Sequence, residues 1–228
     1  MKFRIIGSLV PTVEICFEQR GEEIVTQSGS MIWMSEGISM ITTADGGILK
    51  GLNRYLAGES IFLVKYKSDV PGTTIAFASK IPGKILPIKM KEYPRGLICQ
   101  KGAFLCSQNG INLEISFSKK FSTGIFGGEG FILEKLTGNG IVFLEVDGDI
   151  VEKNLGIGEV IKVDTGNVVA FEEGMGYEVE MLKGFKNVFF GGEGLFLTKI
   201  TGPGKVILQT QNMKELTNIF SKNANINF

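Results

Sequence analysis

The sequence is organised around one glycine-rich stretch, FGGEGLFLTKITGPGK, at residues 190–205. Sixty-four residues earlier stands a near copy, FGGEGFILEKLTGNGI, at residues 126–141. A looser third copy, AGESIFLVKY, occupies residues 57–66. Self-similarity at a nearly fixed spacing is typical of a chain built from repeated structural units. The sequence therefore predicts three related units that share this stretch.

Two further glycines in each copy extend the repeat upstream. The paired positions are Gly29 and Gly37, Gly102 and Gly110, and Gly166 and Gly174. The second glycine precedes the GlyGlu pair by 18 residues in the second and third copies and by 21 in the first, so the first copy carries a three-residue insertion. We divide the chain into repeat units 1–79, 80–145 and 146–212, followed by a tail at 213–228.

Glycine-punctuated short apolar runs favour strands joined by tight turns, and the chain has 31 glycines against 6 prolines. The predicted fold class is therefore all-β, in one compact body. In the third unit we predict strands at 160–163, 168–172, 177–181, 195–200 and 206–210. The exception is 46–57, where apolar residues at helical spacing predict a short amphipathic helix or turn. The tail is predicted to form one or two helical turns before disorder.

The composition limits the function classes. Lys plus Arg and Asp plus Glu are both 24, so the chain lacks the basic excess that attracts nucleic acid. Histidine is absent, which removes the commonest metal ligand and the commonest acid-base side chain near neutral pH. An odd set of three cysteines and the lack of a signal peptide predict reduced thiols in the cytoplasm.

One acidic position recurs in all three copies, at Glu59, Glu129 and Glu193, each after a glycine (Gly58, Gly128 and Gly192). Lys65, Lys135 and Lys199 recur six residues later. Three carboxylates about a pseudo-three-fold axis could hold a cation or shift their own pKa. A structural role is favoured, in which each glutamate accepts turn N–H groups or pairs with a lysine of the neighbouring copy. These six Gly and Glu residues are predicted structural repeat positions.

No catalytic residue, cofactor site or metal site is predicted. The GlyGlyGluGly segments resemble a phosphate loop, but no Gly-Lys-Ser/Thr follows and the next element is a strand. Cys99 and Cys106 are seven residues apart and lack a histidine to complete a metal site. Cys106 aligns with Ala170 in a predicted strand, which favours a buried apolar role. A Ser-Lys arrangement stays open.

The repeated segments carry a family resemblance. LAGESIF at 56–62, GGEG at 127–130, GGEGLFL at 191–197 and TGPG at 201–204 resemble the altered-inheritance-of-mitochondria-24-like family, of the prokaryotic kind. The resemblance implies three copies of a short double-stranded β-helix or β-sandwich-like unit, similar in fold to the tryptophan RNA-binding attenuation protein. It also implies assembly as a homotrimer, and it brings no enzymatic activity, cofactor or catalytic residue.

Seventeen phenylalanines and a mean hydropathy of +0.18 exceed the needs of a β protein with a polar outer layer. Some of these side chains are expected to be covered in an oligomer, or to meet a membrane or a protein partner. We therefore predict a non-enzymatic oligomeric scaffold or binding protein. The alternative is a small-molecule-binding β-barrel with weak enzymatic activity, and RNA binding is third because the net charge is zero.

Overall fold

The computed structural model describes residues 1–27, 29–43, 63–116, 132–181, 196–212 and Thr217. These residues form nineteen β-strands and two short 3₁₀ helices, Met90–Glu92 and Thr165–Asn167. The predicted all-β class is confirmed. Within these ranges, no helix is long and apolar enough to cross a membrane.

The strands are short and follow one another closely along the chain. In residues 1–79 they are β1 (Lys2–Ile6), β2 (Thr12–Cys16), β3 (Glu23–Gln27), β4 (Met31–Met34), β5 (Ile38–Thr43), β6 (Leu63–Ser68) and β7 (Thr74–Ala78). In residues 80–145 they are β8 (Gly83–Lys89), β9 (Leu97–Gln100), β10 (Phe104–Gln108), β11 (Ile111–Ser116), β12 (Leu133–Gly138) and β13 (Ile141–Asp147). In residues 146–212 they are β14 (Ile150–Leu155), β15 (Val160–Asp164), β16 (Val168–Glu172), β17 (Gly176–Met181), β18 (Phe196–Thr201) and β19 (Gly204–Gln209).

The strands pair antiparallel in four sheets. Two sheets have six strands, in the orders β5-β6-β3-β10-β13-β8 and β11-β12-β9-β16-β19-β14. The other two are smaller, with the orders β1-β2-β7-β4 and β15-β18-β17. Each six-stranded sheet therefore takes three strands from one predicted repeat unit and three from the next.

The core continues across the boundaries between the predicted units. One buried cluster joins Ile15, Phe77 and neighbours from residues 1–79 to Leu105 and Phe143. A second cluster joins residues 80–145 to Val169 and Ile207 of the last third. Strands such as β10 and β16 are buried on both faces, so alternation is lost and the apolar run becomes continuous. The three parts of the chain therefore pack as one compact body.

The five strands predicted for residues 146–212 are all confirmed within two residues. The prediction missed β14, because IVEKNL has a charged and mostly exposed pattern that lacks strand alternation. The helix predicted at 46–57 lies outside the described residues. The tail at 213–228 also lies outside them, apart from Thr217.

Candidate functional site

Exposed apolar side chains are unevenly distributed over the described surface. Of fourteen large hydrophobic residues that are exposed, eleven lie in residues 1–79, three in 146–212, and none in the described part of 80–145. They are Phe3, Ile5, Ile6, Leu9, Val10, Ile32, Trp33, Met34, Met40, Ile41, Val70, Val151, Ile157 and Val160. Large exposed apolar groups are a mark of interaction surfaces. The two ends of the chain are therefore the candidate interaction sites.

The most apolar exposed strand is β4, with the sequence MIWM. It pairs on one side with β7, through a register that shifts by one residue between Met31 and Trp33. No charged residue lies within this strand, whereas natural edge strands usually carry charges or proline that prevent further pairing. Trp33, the single tryptophan of the chain, is 39% exposed. We call residues 31–34 the apolar edge.

The N-terminal strand β1 covers the outer side of β2 and also presents apolar residues to solvent. The Phe3 ring packs edge-on against Phe143, with 4.9 Å between ring centroids. Arg4 Nε contacts Glu14 Oε1 at 2.5 Å, and Lys2 Nζ lies 2.7 Å from Glu18 Oε1. These contacts anchor β1 by its charged residues and by Phe3, while Ile5 and Ile6 stay exposed.

A buried carboxyl that sequence reasoning missed lies at Glu134 on β12. Gln27 Nε2 donates a hydrogen bond to Glu134 Oε1 at 3.0 Å, which joins residues 1–79 to 80–145. Glu134 Oε2 has no hydrogen-bond partner among the described residues. Burial raises the pKa of Glu134 to about 7, and the hydrogen bond from Gln27 opposes this shift. Glu134 is therefore a proton-binding group that titrates near neutral pH.

The sequence contains a signal for Glu134. In the repeat frame it occupies the place of Val64 and Thr198, which are both buried. The strand after each GlyGlu pair is expected to be buried on both faces, so a carboxylate within it has to be buried or paired. Glu134 pairs in register with Cys99 of β9, a thiol whose pKa is raised by its own burial.

The predicted repeat positions Gly58, Glu59, Gly128, Glu129, Gly192 and Glu193 lie outside the described residues. Their recurring lysines are described and each has an acidic neighbour. Lys65 Nζ lies 3.1 Å from Glu23, Lys135 Nζ 3.4 Å from Glu173, and Lys199 Nζ 3.9 Å from Glu178. The Lys135–Glu173 pair joins two predicted units, whereas Lys65 and Lys199 have their acidic neighbours within their own units. The predicted pairing of the recurring glutamates with lysines stays a prediction.

The cysteines are unpaired, and the prediction of a buried apolar role for Cys106 is confirmed. Cys99 and Cys106 are fully buried and Cys16 is partly buried. Burial raises the pKa of the Cys99 and Cys106 thiols well above the ordinary value, which makes them poor nucleophiles. In the described ranges, no three Cys, Asp or Glu side chains are grouped closely enough to hold a metal ion.

A shallow depression of about 360 Å³ is lined by Met1, Gly21, Glu22, Glu23, Gln108 and Asn109. In the described part of the chain, this depression is the candidate pocket for the alternative of a small-molecule-binding protein. The Glu22 carboxylate in this lining already accepts hydrogen bonds from two backbone N–H groups, of Glu18 at 2.7 Å and of Gln19 at 3.2 Å. Most of the hydrogen-bonding capacity of Glu22 is therefore used within the chain.

These features define a class of protein: an all-β antiparallel body with apolar ends. The sequence pattern of the family described as Mitochondrial biogenesis AIM24 matches residues 3–211, and the chain belongs to this family. An uncharacterised protein of Streptococcus pyogenes serotype M6 is 28% identical over 224 residues, which are 94% of this chain and 88% of that protein.

The fold is also similar to a solved structure. A crystal structure of a protein from Streptococcus pyogenes superposes with a TM-score of 0.77 at 24% sequence identity. The match covers 97% of this chain and 99% of that chain. The family match over residues 3–211 confirms the resemblance inferred from the glycine-rich repeats.

Proposed function

We propose that the protein is a non-enzymatic oligomeric scaffold or binding protein that acts as a homotrimer. The observation that carries the proposal is the concentration of exposed apolar side chains at the two ends of the chain. Burial of apolar surface is the main driving force of association, and a row such as Ile32, Trp33 and Met34 gains from being covered.

We propose further that the chain consists of three copies of one six-stranded, double-stranded β-helix-like unit, with the boundaries 1–79, 80–145 and 146–212. The pairings support this. The sets β2-β7-β4, β8-β13-β10 and β14-β19-β16 recur in the same order, as do β3-β6-β5, β9-β12-β11 and β15-β18-β17. Bulges occur at Met31/Trp33, Phe104/Cys106 and Val168/Ala170, which are matching positions of the repeat frame.

The repeated glycines give independent support. Gly37, Gly110 and Gly174 all have positive φ, between +84° and +102°. This left-handed region favours glycine, and all three residues lie in the turn before the fifth, eleventh or seventeenth strand. Each copy therefore has a turn that favours glycine at the same place, which explains why these glycines recur at matching positions of the sequence.

A peripheral role at a membrane or on a protein partner fits the exposed Ile5, Ile6 and Leu9 near β1. A cytoplasmic location is part of the proposal and is supported by three unpaired cysteines. The RNA-binding alternative has less support, because the formal charge is zero.

Light scattering after size-exclusion chromatography tests the proposal. At micromolar concentration we expect a mass three times that of one chain. A monomeric mass across the accessible concentration range would contradict the oligomeric function.

A further inference from the structure

Two strands lack a pairing that both of their counterparts make. In the repeat frame, β4 corresponds to β10 and β16, and β15 corresponds to β3 and β9. The counterparts pair with each other inside the six-stranded sheets, as β3 with β10 and β9 with β16. In the described part of the chain, β4 and β15 instead end their sheets. Of the remaining sheet ends, β5, β11 and β17 end their sheets in every unit, and β8 and β14 end theirs where the additional strand β1 extends the first sheet beyond β2.

The two internal junctions share one register. Cys106 lies opposite Thr26 at the first junction, and Ala170 lies opposite Cys99 at the second. The corresponding residues of the free edges are Trp33 on β4 and Val163 on β15. The neighbouring pair is Met34 and Lys162, by the same correspondence with Ser107–Val25 and Phe171–Ile98. The free edges therefore carry the residues that correspond to the two sides of an internal junction, one side on β4 and the other on β15.

Burial marks the same difference. Leu105, Cys106 and Ser107 are 0–1% exposed, and so are Val169, Ala170 and Phe171. Their counterparts Ile32, Trp33 and Met34 are 52%, 39% and 40% exposed. On β15, Val160 is 44% exposed, and Ile161 is less buried than its counterparts Ile24 and Leu97, which are 0% exposed. The free edges keep the apolar character of buried positions without the partner that buries them.

Polar groups that cross the junctions have counterparts at the chain ends. Asn109 N–H donates to the Glu23 carbonyl at 3.3 Å, and Glu173 N–H donates to the Gly96 carbonyl at 3.1 Å. The corresponding groups at the ends are the Glu36 N–H and the Val160 carbonyl. The Lys135–Glu173 ion pair crosses the second junction, and Lys199 and Glu36 occupy the same two positions at the chain ends. The two edges therefore match in charge and in backbone hydrogen-bonding groups.

We propose that β4 of one copy pairs antiparallel with β15 of a second copy of this chain, in the register of the internal junctions. This rests on the oligomeric function proposed above and identifies its interface. Trp33 lies opposite Val163, Glu36 N–H donates to the Val160 carbonyl, and Lys199 forms an ion pair with Glu36. Because the two edges differ, the contact is heterologous, and the proposed homotrimer requires that it close into a ring. Three copies place nine units in that ring.

Cysteine cross-linking tests the pairing. In a Cys16→Ser background, Met34→Cys is mixed with Lys162→Cys, since directly opposite residues have Cβ atoms about 5 Å apart. We expect a cross-linked dimer from the mixture and a covalent trimer from the double variant. The control combines Met34→Cys with Val151→Cys, an exposed residue on the unpaired edge of β14, and should give no cross-link.

Two results would overturn the pairing while leaving the oligomeric function intact. One is a wild-type trimer in which Met34→Cys and Lys162→Cys do not cross-link. The other is a cross-link formed only within one chain of the double variant, because the two edges would then close on themselves. A monomeric wild-type protein would overturn the oligomeric function and the pairing together.

A charge exchange tests the ion pair at the same interface. Glu36→Lys and Lys199→Glu are each expected to weaken assembly by about fivefold, and the double variant is expected to recover it. Lys199→Glu combined with Glu178→Lys is the control, because Glu178 is the neighbour of Lys199 within the chain. Recovery in the control but not in the Glu36→Lys double variant would overturn the proposed contact.

Discussion

At the scale of single residues, Glu134 is the group whose chemistry departs furthest from an ordinary carboxylate. Its folded-state pKa is raised to about 7 from 4.5 because it is buried. The folded protein therefore binds a proton at Glu134 that the unfolded chain has already lost between these two pKa values. Stability from this group is greatest at low pH and falls as pH rises through that window, by about 3 kcal/mol in total.

Glu134→Gln should remove this pH dependence. We expect the free energy of unfolding of the variant to change less than that of the wild type between about pH 4.5 and about pH 7. Gln27→Met is the informative companion, because the Gln27 hydrogen bond lowers the Glu134 pKa and its loss should move the window to higher pH. Urea unfolding at a series of pH values measures both effects. Identical pH profiles for wild type and Glu134→Gln would contradict the assignment.

At the scale of elements, two glycines with similar backbone conformations distinguish the cost of a positive φ from the cost of a steric clash at Cβ. Gly102 has φ +94° and open space where a Cβ would stand, whereas Gly138 has φ +108° and a Cβ there would collide with the Gly110 carbonyl oxygen. Gly138 lies opposite Ile111 in the β11–β12 pair. The close approach of these backbones therefore needs glycine at Gly138 for two reasons.

Gly102→Ala should cost about 1 kcal/mol through its positive φ alone. Gly138→Ala should cost about 3 kcal/mol or more, because the strands must also move apart. Thermal or urea unfolding of the two variants gives the comparison. Equal losses would show that the close contact at Gly138 relaxes freely, contrary to this expectation.

Much of the element pattern could be predicted from the sequence. Glycine spacing placed the turns before β5, β11 and β17, and apolar runs placed β15, β16 and β19 within two residues. The sequence could not show that β3 pairs with β10 and β9 with β16. The continuous apolar sequence of a buried strand does not indicate which other strand pairs with it. β14 was missed since charged side chains mask its strand pattern.

The candidate site was harder to predict than the fold. The repeat drew attention to glutamates that recur, whereas Glu134 is distinctive because Val64 and Thr198 replace it in the other copies. The exposure of the apolar edge was also hard to predict from the sequence. MIWM reads as an ordinary core strand, and only the sheet order shows that β4 ends its sheet in the described part of the chain.

At the scale of the whole molecule, one strand pairing is used repeatedly. Three parts of the chain join by the same pairing twice, and in the described part of the chain the strands β4 and β15, which we propose to form the third junction, end their sheets. In the proposed assembly, the exposed strands at these ends would be paired by closing on further copies. The family match over residues 3–211 covers all the strands that make and offer these pairings.

The fluorescence of Trp33 tests this closure most directly, since the chain has no other tryptophan and Trp33 lies on the apolar edge. Emission and quenching by a polar quencher would be followed across dilution, with the mass measured by light scattering at each concentration. We predict a blue-shifted emission protected from the quencher in the trimer, and a red-shifted, quenchable emission in the monomer. An emission that stays red-shifted and quenchable in the trimer would contradict the pairing of β4 with β15.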